Sequence, residues 1–231
     1  MFPLRDTIPS RRFPLVNWLL IAANVVAFVF ESSLSPRQLT HFIRLFGVVP
    51  AHISLFAPAT WFSMLSSMFL HGSWFHLLSN MWALYIFGDN VEDRMGHGRY
   101  LGFYLLSGVA AALLQVWMMP ASRVPIVGAS GAIAGVLGAY VVLFPRARVV
   151  TLVTLFFFLS FVEIPALLYL GFWFISQLFS GLASLAAPGL VSGVAWWAHV
   201  GGFLFGIFGV HAFTEKQPAY YRWYPDEYWP W

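Results

Sequence analysis

The chain has no cysteine among its 231 residues, and only 9% of them are charged. The first absence excludes disulfides, thiol catalysis and thiolate metal sites. The second excludes an ordinary soluble domain, where about 25% of residues carry charge. A net charge of +3 with no basic stripe offers nucleic acid no footprint, so no nucleic-acid partner is expected. What is present is apolar: 60% of residues are hydrophobic and mean hydropathy is +0.75. Such a chain belongs in lipid, with the bilayer as its solvent. At about 20 residues per span, its length accommodates roughly six membrane helices.

The expected fold class is therefore all-α, a polytopic six-helix membrane bundle. Hydrophobic segments fall at 14–31, 73–90, 100–119, 126–144, 162–186 and 194–213. Arg5, Arg11 and Arg12 precede an apolar run at 15–30 that is long for a signal core and lacks a clear cleavage site. It reads as an uncleaved first span. Residues 1–13 are expected as an N-terminal cytoplasmic segment, 14–213 as the membrane domain and 214–231 as a cytoplasmic, aromatic-rich tail seated at the membrane interface. The stretch 149–161 reads as an amphipathic or interfacial piece leading into the fifth helix. The connection 32–61, with apolar patches at Leu45, Phe46, Val48 and Val49, reads as a loop resting on the membrane surface.

Basic residues set the orientation. With the N-terminus inside, the inner side holds Arg5, Arg11, Arg12, Arg94, Arg99, Arg146, Arg148, Lys216 and Arg222. The outer side holds only Arg37, Arg44 and Arg123, so both termini are expected in the cytoplasm. The even-numbered segments then all begin at the outer face. His76 and Asn80 lie early in the second, Ser130 early in the fourth and His199 early in the sixth. Three to seven residues into a helix is about 5–10 Å below its start, so all four share one depth.

Polar groups inside a bilayer are expensive and usually pair or do something. Taken alone, Ser130 reads as a packing serine and His199 as a satisfied structural group; their shared depth changes the balance. Gly131, Gly135 and Gly138 mark one face beside Ser130, and Gly202, Gly206 and Gly209 mark a matching face beside His199. Small residues let helix backbones approach closely. Facing contact would bring the hydroxyl within hydrogen-bond reach of the imidazole, as a serine nucleophile and its base require. Ser130 also lies near a helix N-terminus, where unpaired N–H groups favour a developing oxyanion. His76 and Asn80, four residues apart, point the same way and carry suitable oxyanion donors. His71 lies at the loop–helix junction and reads as structural. Asp89, Glu92, Asp93 and Glu163 all map to the inner side, so the site is expected to be a dyad without an acidic third member.

Other membrane chemistries fit less well. A zinc protease needs His-Glu-x-x-His, which His71 and His76 do not supply. An aspartyl protease needs two intramembrane aspartates. Position 132 is alanine, so a Gly-x-Ser-x-Gly elbow is not met. No internal repeat of the transporter kind is found. No metal or cofactor is expected.

Three motifs occur in order over 61–209: His71-x4-His76-x3-Asn80, Gly128-Ala129-Ser130-Gly131, and Ala198-His199-x-x-Gly202-x-x-x-Gly206. In them the chain closely resembles the rhomboid family of intramembrane serine proteases. The resemblance implies a six-helix bundle with a water-filled cavity open to the outer face. It implies Ser130 as nucleophile, His199 as general base and then acid, and His76 and Asn80 as oxyanion donors. It implies cleavage in or beside the transmembrane segments of membrane proteins, with single-span proteins as partners. The expected setting is the inner or plasma membrane of a prokaryotic cell. Residues 91–96 resemble the family's inner connection between the second and third segments, a stability element. Some members carry an aromatic residue four after the serine; here it is Ala134, so another group must orient His199. A catalytically inactive relative that holds membrane clients is the rival reading, and intact Ser130 and His199 argue against it. A channel or transporter is a third.

Overall fold

The structure is a computed structural model, and it describes residues 2–54, 57–155, 158–186 and 193–215. Among them are eight α-helices and three strands: β1 Phe2–Asp6, α1 Leu15–Ser33, α2 Pro36–Phe46, α3 Pro58–Ser66, α4 Trp74–Met95, α5 His97–Met118, α6 Ser130–Leu143, β2 Arg148–Leu155, β3 Phe158–Pro165, α7 Ala166–Ala186 and α8 Trp196–Phe213. The expected helical membrane bundle is borne out. The six expected segments correspond to α1, α4, α5, α6, α7 and α8. Four of these (α1, α5, α7 and α8) are long and apolar enough to cross a membrane. Helix α4 carries Asp89, Glu92, Asp93 and Arg94 in its last turns, and α6 has only 14 residues.

The shortness of α6 follows from its place. Gly131 through Tyr140 are all buried, as expected for a helix that is apolar all round. It is enclosed by α4, α5 and α8, and glycine makes the closest approach possible. A Cβ on Gly206 would lie 2.9 Å from the Ala139 nitrogen, and one on Gly202 only 3.2 Å from the Ala134 Cβ. Two details differ from the expected pair of matching faces. Gly131 and Gly135 turn their missing side chains toward Ala111 and Ser107 of α5, while α8 lies against their carbonyls. Gly209 meets only the ring of its own helix's Phe205.

Helix α1 begins at Pro14 without a side-chain cap of its own. Its orphan N–H groups are satisfied from α4: the Glu92 carboxylate accepts from Val16 N–H at 2.9 Å and Asn17 N–H at 2.7 Å. His97 Nδ1 lies 2.5 Å from the same carboxylate. Nearby, Arg12 pairs with Glu215 at 3.1 Å, and Glu215 N–H donates to the Arg94 carbonyl. The 91–96 connection is thus the clamp between α1, α4 and the end of α8, as the resemblance implied.

Three sequence expectations need correction. The piece at 149–161, expected as an amphipathic or interfacial lead-in to the fifth helix, belongs to an antiparallel hairpin of β2 and β3, and α7 starts at Ala166 instead of 162. β-Branched Val149, Val150, Thr151, Val153 and Thr154 favour an extended backbone, which outweighs the run's apolar character. The N-terminal segment is not merely a tail, since Phe2–Asp6 pairs antiparallel with β2 and completes a sheet of order β1-β2-β3. The 32–61 connection is largely helical, carrying α2 and α3, and Phe30, Phe42 and Phe46 stack in sequence along its base. The tail at 216–231 lies outside the described residues.

Asp6 ties the sheet to the bundle. Its Oδ2 accepts from Tyr140 O–H at 2.5 Å and from Asn90 Nδ2 at 2.7 Å. Burial pushes its carboxyl up to about 7, opposed by the Tyr140 bond and reinforced by the Asp89 charge.

Two outcomes are expected. Gly206→Leu forces a side chain into the α6 backbone and costs about 3 kcal/mol or more, whereas Gly209→Leu is nearly neutral; unfolding in detergent measures the difference. For Asp6, the native state holds the carboxyl proton that the unfolded chain releases near pH 4. Its contribution to stability is therefore present below about pH 4 and lost as pH rises toward about 7. Asp6→Asn should flatten that part of the stability–pH curve.

Candidate functional site

The site is built where α6 starts. The loop before it is pinned by a bridge in which Ile126 N–H donates to the Val48 carbonyl at 2.7 Å and Val48 N–H returns to Ile126 at 3.1 Å. Gly128 N–H then donates to the Ser67 carbonyl at 2.9 Å. Gly128 has φ +123°, and a Cβ there would sit 2.6 Å from the His76 ring. Conformation and space both require glycine at that position. Ser130 follows as the first residue of α6, so its hydroxyl lies beside the helix's unpaired N–H groups.

Close packing of α6 on α8 does the rest. His199 Nε2 lies 2.8 Å from Ser130 Oγ. The imidazole's other nitrogen, Nδ1, lies 2.8 Å from Gln177 Oε1 on α7. The Trp173 ring packs 5.8 Å from the imidazole, tilted by 35°, and Trp196 meets it edge-on at 6.2 Å. Gln115 of α5 accepts the Ala198 N–H at 3.1 Å and fixes the start of α8.

The opposite wall comes from α4. Ser73 caps it by accepting His76 N–H at 3.2 Å. Asn80 Nδ2 lies 3.0 Å from His71 Nε2, which leaves the amide's second N–H for the cavity. The His71 and His76 rings are 5.0 Å apart. His71 is buried, and its backbone N–H donates to both oxygens of Glu31 at 3.3 and 3.2 Å. Ser130, His199, His76, Asn80 and Gly128 all line one cavity of about 720 Å³. The four sequence-predicted site residues are thus brought together. The arrangement presents a hydroxyl bonded to an imidazole nitrogen, with N–H donors across the same cavity.

Two residues escaped the sequence reading. Glu31 does place a carboxylate at this level, because the last turn of α1 ends beside His71. It binds backbone at His71 and not His199, so the expectation of a pair without an acid keeps its geometry while its stated reason fails. Gln177 is the side chain bonded to His199 Nδ1, where position 134 carries only alanine. Its signal was available: Ser176-Gln177 interrupts the apolar run at 162–186 much as Ser130 interrupts its own.

Fold and site together define a polytopic helical membrane protein with a serine–imidazole pair lining a cavity between its helices. The chain belongs to the rhomboid family: the Rhomboid domain model matches residues 58–215. It is 32% identical to Rhomboid protein 1, mitochondrial, of Saccharomyces cerevisiae over 63% of this chain and 40% of that protein. It is 29% identical to Rhomboid protease GluP of Bacillus subtilis over 89% of this chain and 43% of the relative. It is 30% identical to human Presenilin-associated rhomboid-like protein, mitochondrial, over 83% and 46%. The chain spans less than half the length of these relatives. They come from a bacterium and from mitochondria, so a prokaryotic cell membrane is not supported, and the coarser statement holds: an integral membrane protein.

Proposed function

We propose that this chain is an intramembrane serine endopeptidase that cleaves peptide bonds in or next to the transmembrane segments of membrane proteins, single-span proteins among them. The observation that carries the reading is the 2.8 Å contact between His199 Nε2 and Ser130 Oγ at the wall of a cavity that His76 and Asn80 also line. A relative named as a protease, GluP, supports it. The excess of basic residues on one side supports both termini in the cytoplasm.

The chemistry follows from the geometry. His199 takes the Ser130 proton at Nε2 as Oγ attacks the scissile carbonyl carbon. The resulting oxyanion is met by Asn80 Nδ2–H, by the His76 ring and by backbone N–H at the start of α6. His199 returns the proton to the departing amine. Water, deprotonated by the same nitrogen, then releases the acyl group from Ser130. A peptide bond inside a regular helix is shielded, so substrates whose helices unwind near the outer face should be preferred.

Ser130→Ala is expected to abolish both cleavage of a model transmembrane substrate and labelling by a fluorophosphonate in detergent. His199→Ala should reduce turnover to background. His76→Ala and Asn80→Ala should each lower kcat about 10²–10³-fold, the cost of one oxyanion donor. Unchanged labelling of Ser130→Ala would sink the nucleophile assignment.

A further inference from the structure

Both nitrogens of the His199 ring are partnered, and the second partner decides what the first can do. Gln177 Oε1 lies 2.8 Å from Nδ1 and has no proton to give, so Nδ1 must donate. Nε2 then carries the lone pair, aimed at Ser130 Oγ 2.8 Å away. This depends on which way the glutamine amide points, and its surroundings fix that. Gln177 Nε2 donates to the Trp173 carbonyl at 3.2 Å and to Ser176 Oγ at 2.9 Å. Ser176 Oγ has its own proton committed to the Trp173 carbonyl at 2.6 Å, so toward Gln177 it can only accept. A flipped amide would set its oxygen against a carbonyl oxygen and a hydroxyl lone pair. The NH₂ end therefore stays on the helix backbone, and the oxygen stays on the imidazole. Gln177 is buried, so water does not compete for these bonds.

We propose that Gln177 is the positioning residue of the site. From α7 it holds the His199 imidazole in the Nδ1–H tautomer, so that Nε2 is the base for Ser130, and its oxygen steadies the imidazolium as the proton arrives. This rests on the serine–histidine reading above. The Trp173 ring, one turn earlier on the same helix, limits rotation of the imidazole about its Cβ–Cγ bond.

The test separates positioning from packing. Gln177→Met keeps the length and removes the acceptor; Gln177→Glu keeps the length and an acceptor oxygen. If Gln177 positions His199, the methionine variant loses about tenfold to a hundredfold in kcat, the range of one hydrogen bond, with KM within about twofold. Fluorophosphonate labelling slows in proportion, and the glutamate variant recovers at least part of the loss. A packing role gives the opposite order, with methionine tolerated and glutamate harmful, and that order overturns the proposal. A second measurement needs no variant. ¹⁵N NMR of histidine-labelled protein in detergent should show His199 protonated at Nδ1 and bare at Nε2; the reverse tautomer overturns the proposal outright. Failure of the proteolytic reading would show instead as turnover indifferent to Ser130→Ala, whatever the tautomer.

Discussion

The contact between α6 and α8 is the constraint on which the rest depends. Without side chains at Gly202 and Gly206, the α8 backbone settles against the Gly131 and Gly135 carbonyls, closer than any larger residue allows. That approach fixes the distance between the first turns of the two helices. Ser130 and His199 lie in those turns, and a 2.8 Å bond between them follows from helix spacing more than from any loop. In lipid there is no hydrophobic force between apolar helices, so close van der Waals packing must supply the association. The glycines that assemble the bundle therefore also set the geometry of its polar pair.

A second constraint is that buried polar groups must be answered. At the cavity end they form two short chains: Ser130, His199 and Gln177 on one side, and Asn80, His71 and Glu31 on the other. Each chain ends on backbone or on an amide locked to backbone, so neither can rotate without orphaning a donor. At the opposite end Glu92 caps α1, while Arg12 and Glu215 pair near the end of α8. Most of the buried carboxylates thus gather where the helices are clamped, and the cavity end holds Glu31 alone among neutral polar groups. In the proposed orientation the clamped end is the cytoplasmic one, on the side with the excess of basic residues.

What the sequence made legible was what depends on period and depth. Six apolar runs set the helices, and their order with the charge bias put His76, Asn80, Ser130 and His199 at one level. Glycine spacing brought α6 and α8 together, though it misjudged Gly209 and the α5 side of Gly131 and Gly135. What it hid depends on pairing between distant segments. The strand at 2–6 has no periodic signal of its own and becomes a strand only because β2 offers an edge. The 149–161 run looked interfacial because apolar content cannot separate a short strand from a membrane-surface helix. Gln177 and Glu31 were visible as letters, but their partners lie 22 and 40 residues away.

An amide, and not a carboxylate, beside His199 is consistent with this economy of charge. A carboxylate buried in a membrane bundle loses several kcal/mol of hydration, which a bond from a neutral imidazole repays only in part. An amide fixes the same tautomer with no charge to solvate, so the ring stays neutral until the serine attacks. Its weaker hold on the imidazolium is supplemented by the Trp173 ring packed against the imidazole. The charged state then exists only while it is balanced by the oxyanion opposite, and the site needs no permanent ion at membrane depth.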